Sequence, residues 1–275
     1  MKLALFTTAI FFATSIVNAG ERVLSIGGSV TEIVYALGEQ NRLVARDTTS
    51  SYPAEAENLP NVGYMRALAP EGVLSVNPDL IIAEAGSGPQ ETIDVLEEAQ
   101  IEFITIPDGY SAAAVTAKIM AVADALDVSE KGRALADEIE AAIISASEAA
   151  ARENRKRVMF VLSTRGGRIM ASGANTAADG IINLAGGINA VEGFEGYKPL
   201  TDEAVIAAAP DVILMMARGG NHSADNAELF AMPSMAGTPA ADAQSVIRLN
   251  GLLLLGFGPR TAEAVATLNA KLYAQ

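Results

Sequence analysis

Short runs of consecutive apolar residues recur along the chain, separated by polar loops and by stretches whose apolar positions return every three or four residues. Val23 to Ile26, Leu43 to Ala45, Leu80 to Ala83 and Ile101 to Ile106 read as buried strands. Between them, Thr31 to Leu37 reads as a helix stopped by Gly38, and Gln90 to Ala99 as a helix opened by the turn Glu84 to Pro89. Strands alternating with helices of about ten residues predict βα units on a parallel sheet. In such sheets ligands bind at the loops beyond the carboxyl ends of the strands.

From about Ser129 to Asn154 the pattern becomes alanine-rich and amphipathic, with no glycine or proline after Gly132. Its roughly 26 residues predict some 39 Å of helix at about 1.5 Å per residue. The strand and turn pattern then returns. Arg157 to Leu162 is a buried strand, Ser163 to Arg168 a turn, Ile169 to Ala171 a short strand, and Ser172 to Thr176 caps a helix reaching Leu184 before Gly186-Gly187. Val212 to Met216 and Val246 to Leu249 read as strands, and Thr261 caps a last helix to about Tyr273.

One frame occurs twice. Leu68, Glu71, Val73, Pro78, Asp79 and Ile81 are matched 132 residues on by Leu200, Glu203, Val205, Pro210, Asp211 and Ile213. Each copy follows a Gly-Tyr pair, Gly63-Tyr64 and Gly196-Tyr197. Self-similarity at a fixed offset marks a duplicated unit, here about the size of a domain. The expected architecture is α/β: two similar lobes with mainly parallel sheets, each with its own core, joined by one long α-helix that acts as a strut. The expected boundaries are 20–126, 127–156 and 157–275.

Residues 1–19 have a basic start at Lys2, an apolar run from Leu3 to Val17, and Val17 and Ala19 flanking Asn18. This predicts a secretory signal peptide cleaved after Ala19, hence a periplasmic protein. The chain has no cysteine, which excludes disulfides, thiolate metal sites and a lipidated-cysteine anchor. A formal net charge of -14 argues against nucleic acid as a partner. Gly27-Gly28-Ser29 after the first strand has the wrong spacing for a dinucleotide fingerprint. There is no Gly-x-Ser-x-Gly elbow, and the lone histidine, His222, suits neither a triad nor a multi-histidine zinc or manganese site. An enzyme is therefore not expected.

The residues Gly63-Tyr64-Met65-Arg66, Glu71 to Leu74, Gly173 to Thr176 and Gly196-Tyr197-Lys198-Pro199 together resemble the haem-binding members of the periplasmic binding proteins that serve ABC importers. The resemblance covers essentially the whole chain after the signal. It implies haem b as transported ligand, held in the inter-lobe cleft with Tyr64 as axial ligand of the ferric iron. Phenolate is a hard anionic donor suited to Fe(III), and a phenol with a pKa of about 10 needs help to ionise. Arg66 and Arg218 are candidates to hydrogen-bond the phenolate and favour it. Some relatives add a histidine near the turn that here runs from Ser163 to Arg168. Its absence favours five-coordinate iron, with His222 or Tyr197 as the remaining donors; Tyr197 otherwise lines the cleft.

Met65, Met215, Met216, Phe257 and Tyr110 are candidates to cover the porphyrin faces. Ser29, Thr31, Arg165 and the amides of Gly27-Gly28 and Gly173-Ala174 are candidates for the propionates. Glu71 and Glu203 resemble the two carboxylates that meet arginines of an inner-membrane ABC permease dimer driven by its ATPase, with an outer-membrane haem receptor system upstream. A siderophore or cobalamin carrier of the same fold is the alternative.

Overall fold

The computed structural model describes residues 22–217 and 225–274. The first lobe is a four-stranded parallel sheet of β1 (Val23–Ile26), β2 (Leu43–Arg46), β3 (Leu80–Glu84) and β4 (Glu102–Ile106), in the order β2-β1-β3-β4. Its helices are α1 (Gly28–Ala36), α2 (Pro70–Leu74), α3 (Gln90–Glu98) and α4 (Ala112–Ala125). Then comes α5 (Ser129–Ala150). The second lobe holds β5 (Arg157–Ser163), β6 (Met170–Ser172), β7 (Ile188–Asn189), β8 (Tyr197–Pro199), β9 (Val212–Ala217) and β10 (Val246–Asn250). With them run α6 (Ala177–Leu184), α7 (Asp202–Ala208), α8 (Asn226–Phe230), α9 (Pro239–Asp242), α10 (Gly251–Leu255) and α11 (Thr261–Leu272).

The duplication is visible in how each lobe seats its central strand. Asp79 Oδ2 accepts from the Arg22 amide at 3.0 Å, and Asp211 Oδ2 from the Arg157 amide at 2.8 Å. In return the Asp79 and Asp211 amides donate to the carbonyls of Arg22 and Arg157. Asn77 and Ala209, 132 residues apart, both adopt left-handed backbone at φ 46 and 43 between helix and strand. The second lobe departs from the first in its sheet: β5-β6 and β6-β8 are antiparallel, giving β10-β9-β5-β6-β8 with β7 pairing β5.

Three expectations change. The helix at Gly27-Gly28 starts at Gly28 rather than Thr31, because Gly27 turns the chain at φ 104 and lets the helix begin at once. The long helix stops at Ala150, 22 residues in all, where the Arg152 guanidinium donates to the carbonyls of Ala149 and Ala151. It is not a free strut: α5 packs along α4 and α11. For the same reason the lobes do not each keep a separate core. Val23, Ile82, Ile119 and Ile143 belong to one buried cluster with Phe160, Leu214 and Leu268, while smaller clusters back the outer face of each sheet.

Candidate functional site

The strand ends of the two sheets face each other across a cleft of about 640 Å³, within the range of small-molecule sites. Glu84 and Ala85 reach it from the end of β3, Asp108 and Tyr110 from beyond β4, Leu162 from β5, Met216 from β9 and Asn250 from β10. Two other hollows of about 770 and 740 Å³ are more open, and neither contains Tyr64 or Arg66.

Tyr64 is presented by its neighbours. Val62, Met65 and Leu68 are buried in the first lobe, which turns Tyr64 and Arg66 outward. Gly63 supplies φ 107, and its carbonyl and amide are held by the Thr48 amide and Asn61 Oδ1. Tyr64, 43% exposed, lines the cleft, and Arg66 Nη1 donates to its hydroxyl at 3.0 Å. Burial would depress the Arg66 guanidinium, but the hydrogen bond and charge interaction with Tyr64, helped by Glu84 and Tyr110, raise it above its ordinary value. Arg66 is a fixed cation.

Tyr197 enters from the other lobe on β8, with its ring edge-on to Phe160 at 6.3 Å. Burial raises its phenol, although the Thr176 hydroxyl, the Ala178 amide and Arg66 act in the opposite direction. Tyr110 is pushed up to about 12 by burial, by the charge of Asp108 and by its hydrogen bond to Asp108 Oδ2, with Tyr197 and Glu84 adding to the effect. Both therefore stay neutral phenols near neutral pH. Tyr64 is the cleft tyrosine that accepts a guanidinium hydrogen bond.

Tyr110 makes stability depend on pH at the alkaline end. Its folded value lies above the ordinary 10.0, so the unfolded phenol ionises first. The stability it contributes is complete below pH 10 and is lost as pH rises through about 12. Tyr110→Phe is expected to flatten the fall in unfolding free energy across that window in urea titrations. An unchanged slope contradicts the assignment.

The floor of the cleft holds a network that the strand and helix pattern did not single out. Lys118 on α4 is fully buried, and its ammonium donates to Glu84 Oε1 at 2.7 Å, Asp108 Oδ1 at 3.1 Å, Ser29 Oγ at 3.2 Å and the Gly256 carbonyl of the second lobe at 3.4 Å. Ser29 donates in turn to Glu84 Oε1 at 2.9 Å. The signal was present in sequence: Lys118 shares the helical face of Val115, Ile119 and Val122, a lone charge on an apolar stripe. At another point between the lobes, Arg260 grips Glu32 at 2.5 and 3.1 Å and lies 3.5 Å from the ring centroid of Tyr52.

Of the expected apolar contacts, Met65, Met216 and Tyr110 line the cleft. Met215 is buried in the outer-face core, and Phe257 packs edge-on against Tyr110 at 5.4 Å. The expected anion contacts fare worse. Ser29 is bound into the Lys118 network, and Thr31 is bonded to Ser25 and Ser50. The Gly27 and Gly28 amides donate to Asp47 and Thr49, those of Gly173 and Ala174 to the carbonyls of Gly196 and Phe194. Arg165 is exposed in the β5-β6 turn. Arg218 and His222 lie outside the described residues. Glu71 and Glu203 occupy the second position of α2 and α7, both exposed. The Glu203 carboxyl is held below its usual value by its own amide and by the Thr201 hydroxyl.

Residues 23–251 match the family model described as periplasmic binding protein. The chain belongs to that family. Its members are binding proteins rather than enzymes, and their family supports a periplasmic location. Among solved structures, the periplasmic heme-binding protein BhuT in complex with two hemes superposes with a TM-score of 0.86 at 42% identity, covering 92% of this chain and 97% of BhuT. The periplasmic heme-binding protein RhuT from Roseiflexus sp. RS-1, in apo form, gives 0.88 at 39% identity, over 93% and 98%. The vitamin B12-binding protein of Yersinia pestis (strain Pestoides F) is 28% identical over 223 residues, 79% of this chain and 76% of the relative.

Proposed function

We propose that this periplasmic binding protein captures ferric haem between its lobes through the Tyr64 phenolate and hands it to an inner-membrane ABC permease. The observation that carries the reading is the 3.0 Å hydrogen bond from Arg66 to the Tyr64 hydroxyl at the wall of the inter-lobe cleft. A guanidinium on a phenol oxygen favours the anion that ferric iron needs, and haem is the ligand named for both structural neighbours. Tyr197 and Tyr110, held neutral, serve as walls rather than as axial donors. Glu84 and Asp108 share the single Lys118 ammonium, so the inner wall keeps a negative balance that directs the propionates toward the mouth.

In this reading the first nineteen residues export the chain, residues 20–126 and 157–275 are the two gripping lobes, and 127–156 connects them. Glu71 and Glu203, one on each lobe, dock on the two subunits of the permease dimer, whose ATPase drives uptake, and an outer-membrane haem receptor system lies upstream of this protein. A cobalamin carrier is the second reading, supported by the vitamin B12-binding relative. Titrating the processed protein with hemin and with cyanocobalamin separates the two. Hemin is expected to bind and give a high-spin ferric tyrosinate spectrum, while cyanocobalamin leaves the protein unchanged. Preference for cyanocobalamin, or no uptake of hemin, overturns the proposal.

A further inference from the structure

Seven large apolar side chains are exposed among the described residues, and four of them fall into two matched pairs. Tyr64 and Tyr197 face the cleft. The other pair is Leu74 on α2, 40% exposed, and Ile206 on α7, 44% exposed. They stand 132 residues apart, the offset of the duplicated frame, and each lies three residues after the glutamate of its lobe. Residues three apart share a helix face. Each lobe therefore presents the same two-part patch, a carboxylate with a branched aliphatic side chain beside it. Neither glutamate has an ion-pair partner among the described residues.

We infer that Leu74 and Ile206 are apolar anchors of the docking surface, each filling a socket next to the cation that meets Glu71 or Glu203. The inference rests on the permease reading above and adds to it the residues that set how long the complex lasts. An isolated exposed aliphatic residue needs no explanation. Two at equivalent positions, on lobes whose sheets have otherwise diverged, indicate a surface kept for a partner with two-fold symmetry. A second copy of this chain is the wrong occupant, because apposing two such faces would bring four carboxylates together on a protein of net charge -14. The partner that fits offers, once per subunit, an arginine or lysine at the rim of an apolar depression.

The two parts of the patch act on different rates. Rim charges speed encounter and make it salt-dependent, whereas a buried aliphatic anchor slows dissociation. The test measures binding of haem-loaded protein to the cognate permease-ATPase complex in nanodiscs for wild type, Leu74→Ser, Ile206→Ser, the double serine variant, and Glu71→Ala/Glu203→Ala, with hemin titration of each as a control. Each serine variant is expected to dissociate about fivefold faster and the pair roughly 25-fold faster, at unchanged hemin affinity and an unchanged salt slope. The glutamate variant is expected to associate more slowly and lose its salt dependence. Wild-type dissociation in the double serine variant, beside a defective glutamate variant, removes the anchors and leaves the docking reading standing. A glutamate variant that docks normally removes the docking reading itself, and the anchors with it.

Discussion

Tyr64→Ala is expected to abolish the tyrosinate spectrum of the hemin complex and to weaken hemin binding by about 100-fold or more. The effect is large because the phenol offers a hard oxygen at the cleft wall with the Arg66 guanidinium 3.0 Å away, a pairing suited to ferric iron. Arg66→Ala leaves the oxygen in place but removes the guanidinium that donates to it at 3.0 Å. Loss of such an outer partner costs about tenfold or more in metal affinity, and the spectrum is expected to shift rather than vanish. Arg66→Lys restores charge without the planar fork and is expected to recover part of the loss. Tyr197→Phe and Tyr110→Phe should keep the charge-transfer band, since burial holds both phenols protonated. The visible spectrum of the five variants with hemin is the measurement. Retention of the tyrosinate band in Tyr64→Ala removes Tyr64 as the ligand, and loss of the band in Tyr197→Phe moves the ligand to the other lobe.

Much of this arrangement was legible before the structure, and the parts that were not share a cause. Most local signals held: the apolar runs became strands within a residue or so at each end, Thr176 caps α6 as its position suggested, and Gly63-Tyr64 presents an exposed tyrosine between buried Val62 and Met65, whereas Thr261 is the first residue of α11 and Arg260 holds the cap position. The duplicated frame survives as matched aspartate-to-arginine ties. What sequence order concealed was long-range. Lys118 is 34 residues from Glu84 and 138 from Gly256, so its role depends on how α4 lies beneath both lobes. The backbone amides at 27–28 and 173–174 look free for an anion in a linear reading, yet partners 20 to 23 residues away occupy all four. The antiparallel pairing of β6 and the existence of β8 were hidden by brevity, since three residues show no period and carry no sign of strand direction. The common core under both sheets could not be read from two similar halves, because it arises from α4, α5 and α11 filling the space between them.

Removing the Lys118 ammonium should be the most damaging single change away from Tyr64 and Arg66. The side chain is fully enclosed and Glu84 nearly so at 14% exposure, while Asp108 keeps 32%. Breaking a buried pair from one side strands the other charge, at about 3–5 kcal/mol; the solvent reaching Asp108 places Lys118→Met toward the lower end, about 3 kcal/mol. For a chain of this size that lowers the melting temperature by roughly 6–12 °C. The damage should extend to haem. Glu84 already acts on Arg66 through charge, and without the ammonium its carboxylate competes with Tyr64 for the guanidinium. Lys118→Met is therefore expected to weaken hemin binding several-fold as well as to lower stability. Adding Glu84→Gln tests the cause: a neutral amide can still accept from Ser29 and no longer attracts Arg66, so both properties should recover most of their loss. A double variant as unstable as Lys118→Met would mean that the lysine matters for its packing volume and its reach to Gly256, not for the charge it neutralises.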